Sequence, residues 1–357
     1  MDVGHTKWGT CYGSTSYTGI QLDVLKSALQ KYLRRRCEDK MLWCLREIYL
    51  FKVLASEPNQ LKASKAIISN LCNRLIIMLD EELLFADWKV HLKCKDWLAQ
   101  FEDGQRADFM PLFKVCRAMV RGRILRLNSD IRGHWYRAVI SGSNPRPISM
   151  AHDADLRILH SCFQDDDHTF LEAHRSKLEA FASALQASSP SCYYWAHLLF
   201  NTSAKAAKRY SRRDGIYILW EYLFKIADHD HNRNLHASIL SRLHDFKTKK
   251  CSERHMWLSA IVSCVLHRHS IDWEGDHTAF DVPAEPEEIQ ALFRKPRIHI
   301  DDYAIDQHTR QGRLKKGRDR VAFCRSGALV RHQDTQFYVP AWRSATGRAA
   351  QALFDSH

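Results

Sequence analysis

From Ile20 onward, apolar side chains recur at helical intervals: Ile20, Leu22, Leu25, Leu29, Tyr32 and Leu33, with Lys26, Gln30, Lys31 and Arg34 on the other faces. This period predicts an amphipathic helix opening at Asp23. After the polar connector RRRCEDK, a second helix places Met41, Leu42, Leu45, Ile48, Tyr49 and Phe51 inward. A third, over about 63–84, uses Ile67, Ile68, Leu71, Leu75, Ile76 and Leu79. Short links between amphipathic helices imply antiparallel neighbours. The same period predicts further helices over 109–127, 153–162, 169–187, 192–210, 215–227, 235–246 and 256–267.

The pattern breaks in two places. The stretch SGSNPRPISM (141–150) carries two prolines and a glycine, which predicts a domain boundary. From Trp273 the chain becomes loop-like, and PAEPEEIQALF then supplies proline and acids suited to a helix start. The only hairpin signal is two short apolar runs around RHQDT, within 321–342. No repeat of fixed period recurs. The expected fold is therefore mainly α, a multi-helix bundle or array in two lobes with a small β-hairpin near the C-terminus. Its regions are 1–140, a second helical domain at 151–272, and a basic C-terminal extension at 273–357.

Length supports two lobes, because 357 residues exceed the size at which one core stops growing. Hydrophobic (45%) and charged (26%) content are ordinary, but a net charge of +12 is not, and it favours an acidic partner. No apolar run is long enough for a membrane span, and the N-terminus lacks an apolar signal core. Eleven cysteines, among them Cys44, Cys72, Cys116 and Cys264, sit inside apolar periods. That suits reduced, buried thiols in an intracellular protein of the nucleus or cytoplasm.

The positive charge is concentrated. In HIDDYAIDQHTRQGRLKKGRDR (299–320), Arg310, Arg313, Lys315, Lys316, Arg318 and Arg320 face a single acid, Asp319, within the last eleven residues. Gly312 and Gly317 are expected to break any helix there, leaving the cations on an irregular backbone. Asp302, Tyr303, Asp306, His308 and Thr309 would orient this loop, or else simply cap and pack it. A second patch comprises Arg117, Arg121, Arg123 and Arg126, continued by Arg132 with Trp135 and Tyr136. Arginine beside aromatic rings suits a single strand, guanidinium on phosphate and ring under base. A third run, Lys205, Lys208, Arg209, Arg212 and Arg213, surrounds Tyr210. Each run alone also reads as a solvated face; together with the net charge they point to nucleic acid.

Catalytic motifs are missing. Gly9, Gly13 and Gly19 have the wrong spacing for a phosphate loop, and there is no nucleophile elbow, kinase signature or zinc-protease helix. Cys251, His255, Cys264 and His267 could form a zinc set, though Cys264 lies in an apolar run. The pairs His152–Asp153, His229–Asp230 and His244–Asp245 resemble pieces of an HD-type metal-dependent phosphohydrolase. Asp165, Asp166 and Asp167 read as first-turn acids for the following helix rather than a cation site. No cofactor or metal is expected.

The stretches LDVLKSALQKYLRRRCEDKMLWCLREIYLF (22–51) and NRLIIMLDEELLFAD (73–87) resemble the helical region that follows the ATPase in clamp-loader-like AAA+ proteins of the Werner-helicase-interacting type. Leu25, Lys26 and Ser27, then Met41, Leu42, Trp43 and Cys44, stand at the family's helix starts. Arg74, Asp80, Glu81, Phe85, Ala86 and Asp87 echo its later arginine-plus-acid segment. The stretch 301–330 resembles the tail of virus- and phage-encoded proteins carrying this module. The ATPase itself is absent, so the resemblance implies oligomerisation and contacts with DNA or with replication and repair proteins, not ATP hydrolysis. The resulting expectation is a non-enzymatic accessory factor in DNA replication, recombination or repair, assembling as a homo-oligomer through its N-terminal helices. A helical scaffold for acidic proteins is the alternative, and a metal-dependent phosphohydrolase stands behind both.

Overall fold

A computed structural model describes residues 6–9, 13–83, 87–122, 124, 128, 153–204, 215–248, 254–273, 282–306 and 309–315. Among them the chain forms thirteen α-helices and no strand, with isolated antiparallel bridges joining Lys7 to Thr15 and Thr15 to Gln21. The hairpin expected within 321–342 lies outside the described residues. Contacts divide the described chain into two units, one of residues 6–124 with 282–315 and one of residues 128–273.

The first unit contains α1 (Leu22–Arg34), α2 (Glu38–Val53), α3 (Pro58–Met78), α4 (Trp88–Asp103), α5 (Met110–Arg121), α12 (Pro286–Arg294) and α13 (Arg310–Lys315). At its centre is α2, buried from Met41 to Phe51 without a gap. A helix apolar all round belongs in a core, and α1, α3, α5 and α12 pack around this one. The two charges inside that run are neighbours and partners. Arg46 pairs with Glu47, whose other oxygen accepts from Ser16 Oγ and Thr18 Oγ1, each at 2.7 Å. The N-terminal loop is thereby pinned to α2.

Helix α3 opens at Pro58 behind a capping box of Glu57 and Gln60. It ends in a π-helical turn, Leu79–Leu83, that carries Asp80, Glu81 and Glu82 into the interior. Their partners come from neighbouring helices. Gln30 donates to Glu81 at 2.9 Å and to Glu82 at 2.7 Å, Arg34 pairs with Glu82 at 2.6 Å, and His91 approaches Asp80 at 3.2 Å. Gln30 and Lys31, expected on solvent faces of α1, are therefore buried.

Helix α4 is absent from the sequence-based expectation, although Val90, Cys94, Trp97 and Phe101 line its inner face at steps of three and four. Helix α5 stops at Arg121 rather than running to 127, because Gly122 turns extended (ψ 172°).

The second unit contains α6 (Asp153–His160), α7 (His168–Gln186), α8 (Ser191–Ala204), α9 (Gly215–His229), α10 (Arg233–Thr248) and α11 (His255–Leu266). Here α11 is the buried centre, packed by α8, α9 and α10. Its serines bond across to α8: Tyr193 donates to Ser263 Oγ at 2.9 Å, and Ser259 Oγ lies 3.0 Å from His197 Nε2.

Four helices end on a left-handed residue that is not glycine: Arg36, Gln105, Ser188 and His231, with φ between 50° and 54°. Each is held by the same pair of reverse bonds, such as Cys37 N to Tyr32 O and Arg36 N to Leu33 O after α1. Backbone bonding at the helix end outweighs the steric cost there, about 1–2 kcal/mol per residue. No glycine occupies the left-handed position at these four helix ends.

Candidate nucleic-acid interface

The C-terminal segment 282–315 is no separate extension. It runs as a strap over α2 and then along α1, tied at short intervals by side chains that reach out of those helices. Arg46 donates to the carbonyls of Phe293 (2.8 Å) and Lys295 (3.3 Å), and Trp43 Nε1 to the carbonyl of Pro296 (2.9 Å). Lys295 pairs with Asp39 at 3.0 Å. Past Ile300 the strap descends α1 antiparallel. Asp301 pairs with Lys40 at 2.6 Å, and its N–H donates to Tyr32 Oη at 3.1 Å. Ser27 then bridges the strap twice, donating to the Ala304 carbonyl at 2.6 Å and accepting from Asp306 N at 3.0 Å. Last, Asp23 Oδ2 accepts from Arg310 N at 2.8 Å.

These ties explain why the expected loop-orienting residues sit where they do. Tyr303 packs edge-on against Tyr32 (6.0 Å between centroids), and the Arg35 guanidinium lies 3.8 Å over its ring. Asp302 opens the short 3-10 turn Asp302–Ala304. Asp306 lies 3.8 Å from Lys31. Buried Thr309 caps α13, its hydroxyl accepting from Gly312 N at 2.9 Å. His308 lies outside the described residues.

Gly312 does not break a helix, as its residue type predicts; it allows one. A Cβ there would lie 1.9 Å from the Asp306 carbonyl oxygen, so only glycine lets the first turn of α13 close against the strap. On the anchored turn, Arg310, Arg313 and Leu314 are exposed, Leu314 to 82%. Arg310 and Arg313 make no ion pair among the described residues, and neither do Arg294 and Arg297 earlier on the strap. The side chain of Lys315, and all of Lys316, Arg318 and Arg320, lie outside the described part.

The two described members of the second expected patch, Arg117 and Arg121, are committed elsewhere. Arg117 is 6% exposed, stacked 4.4 Å over Phe113, and held by Glu38 (2.8 Å), Glu288 (2.8 Å) and the Pro283 carbonyl. It fastens α12 to α5, with four of its five N–H donors taken. Arg121 grips the two oxygens of Glu38 at 2.8 and 3.0 Å on a half-exposed side chain. Arg123, Arg126, Arg132, Trp135 and Tyr136 lie outside the described residues, as does the run 205–213.

The charge pairs along the strap set its carboxylates. Burial alone pushes the Asp301 carboxyl up, but hydrogen bonds from Lys40 and Tyr32 hold it below the usual range. The hydrogen bond from Arg117 draws Glu288 down.

Among the described residues the geometry gives metal chemistry no support, while Cys251 and His152 lie outside them. His255 and Cys264 stand nine residues apart on α11, roughly 13 Å of axis, too far to share one ion. His229 and Asp230 are 3.3 Å apart, but Arg268 takes Asp230 at 2.6 Å. His244 is exposed while Asp245 is buried. No group of three metal-ligating residues exists among the described residues. Asp167 turns back to accept from Gln164 N at 2.9 Å instead of capping α7. A cleft of about 1000 Å³ between Phe163, Leu171 and Ser176 is lined by Asp165, Glu172 and Glu179 against Arg175 alone, a sign that repels a polyanion.

No described helix is long and apolar enough to cross a membrane. Compared with protein-family models, curated proteins and solved structures, the chain matches none.

Proposed function

We propose that this protein binds nucleic acid, DNA in the first place, through the basic segment that begins at α13. The observation that carries the reading is the strap. A run of six cations over 310–320 starts from a turn capped by Thr309 and fixed to α1 by Asp23 and Ser27, and its first two arginines stand exposed with no ion pair among the described residues. Fixing the start of a basic segment lowers the ordering cost of docking it on a phosphate backbone.

Acting in DNA replication, recombination or repair as a non-enzymatic accessory factor, and assembling through the N-terminal helices, is the wider reading. It rests on the resemblance of 22–51 and 73–87 to the AAA+ helical module.

Fluorescence anisotropy of the full chain against single-stranded, duplex and forked DNA and matching RNA, at two salt concentrations, tests the proposal. Binding should be steep in salt. Replacing Arg313, Lys315, Lys316 and Arg318 by alanine should lower the log–log slope by about 3, at roughly 0.7–0.9 per lost phosphate contact. Unchanged affinity and slope would remove this segment as the binding element. No binding at low salt, with an acidic protein held instead, would favour the scaffold reading.

A further inference from the structure

A second group of unpaired cations lies on α4 and α5, where the sequence pattern draws no attention to it. Lys93 Nζ lies 5.8 Å and Lys114 Nζ 5.9 Å from the centroid of Trp97, one lysine from each helix. One turn before Lys93, Lys89 Nζ lies 6.0 Å from the Trp88 ring. Both indoles are only 4% exposed. None of the three lysines forms an ion pair among the described residues, although acids lie nearby in the chain. Those acids are engaged otherwise. Glu102 holds Arg106 at 2.7 Å, Asp87 accepts from Val90 N, and Asp108 accepts from Met110 N. Asp96, three residues past Lys93, also has a partner of its own.

We infer that Lys89, Lys93 and Lys114 form a phosphate-binding track for a nucleic-acid strand. This rests on the nucleic-acid reading above and adds a second contact to it. The chemistry of the patch narrows what it recognises. Ammonium groups are mobile point charges without the planar fork that reads carboxylates or base edges in pairs. The indoles beneath are buried, so no base can stack on them as on a single-strand binding platform. They serve as an apolar seat on which the lysine stems lie. What remains is recognition of backbone charge, indifferent to base. Lys89 and Lys93 are about 6 Å apart along the helix axis, a separation that flexible stems match to neighbouring phosphates. The expected occupant is thus the phosphodiester backbone, and the track should be blind to sequence.

The test uses the full chain and labelled oligo-dT and oligo-dA of equal length across a salt series. The variants are K89A/K93A/K114A, its arginine counterpart K89R/K93R/K114R, and R310A/R313A, with thermal melting as a fold control. The alanine variant should bind both oligonucleotides about tenfold more weakly at low salt. Its slope should fall by about 2 from the loss of three contacts. The arginine variant should restore both. Wild-type affinity and slope in the alanine variant, with binding lost in R310A/R313A, would overturn the track and leave the proposed function standing. A loss confined to oligo-dA would also overturn it, since that would indicate base stacking. Absence of binding by the unaltered chain would overturn both readings.

Discussion

Ser27, Thr309 and Gly312 act at single atoms, and each ties the strap by a different means. Ser27 serves two backbone groups at once; Thr309 supplies a cap; Gly312 supplies the absence of a Cβ. Gly312→Ala must move either α13 or the Asp306 peptide, since 1.9 Å is inside any permissible contact. The cost of such overpacking, about 1–3 kcal/mol, should appear in urea denaturation followed by circular dichroism. A stability within 0.3 kcal/mol of the parent would mean that the turn has room, on the order of surface-substitution effects. These roles were only partly legible. Asp306 and Thr309 read as capping types from residue chemistry alone. Gly312 read as a breaker because nothing local reveals that a carbonyl from six residues upstream occupies its missing side chain. Gln30 and Lys31 read as solvated because their cover, the π-helical turn and the strap, is remote in sequence.

Among the elements, α2 and α11 were legible as apolar runs, yet their place as helices buried on every side follows only once neighbours surround them. Helix α4 escaped notice because a histidine and three lysines interrupt its period, and lysine stems over indole rings look polar in sequence while packing as apolar. Charged side chains in α2 and α5 are what hold the strap: Arg46 by its carbonyls, and Arg117, expected on a phosphate, through Glu288.

Acid should loosen that element. Asp301 and Glu288 have carboxyls held below their ordinary values, so their contribution is fully present above the unfolded carboxylate range. It is lost as pH falls through the lower folded values, beginning near about 4. Hydrogen exchange should therefore show strap amides such as Asp301 and Asp306 losing protection below about pH 4 before the α2 core does. Simultaneous loss in both would show that the ion pairs do not set the strap's stability.

For the molecule as a whole, the net charge of +12 is the feature that sequence conveys well, but its distribution is not. Arg117 and Arg121, singled out in advance, are spent on Glu38 and Glu288, whereas Lys89, Lys93 and Lys114, which the sequence reading passed over, form no ion pair among the described residues. Sequence counts charges; it does not show which have found a partner across the fold. The central claim is that the strap delivers the basic run beginning at Arg310 to a nucleic acid. Its most direct test is ultraviolet crosslinking of the full chain to a thymine-rich oligonucleotide, with the attached peptides mapped by mass spectrometry. Crosslinks within 299–320 are predicted, and these should disappear when Arg310 and Arg313 are replaced by glutamate. Crosslinks confined to 153–273, or unaltered by that replacement, would contradict it.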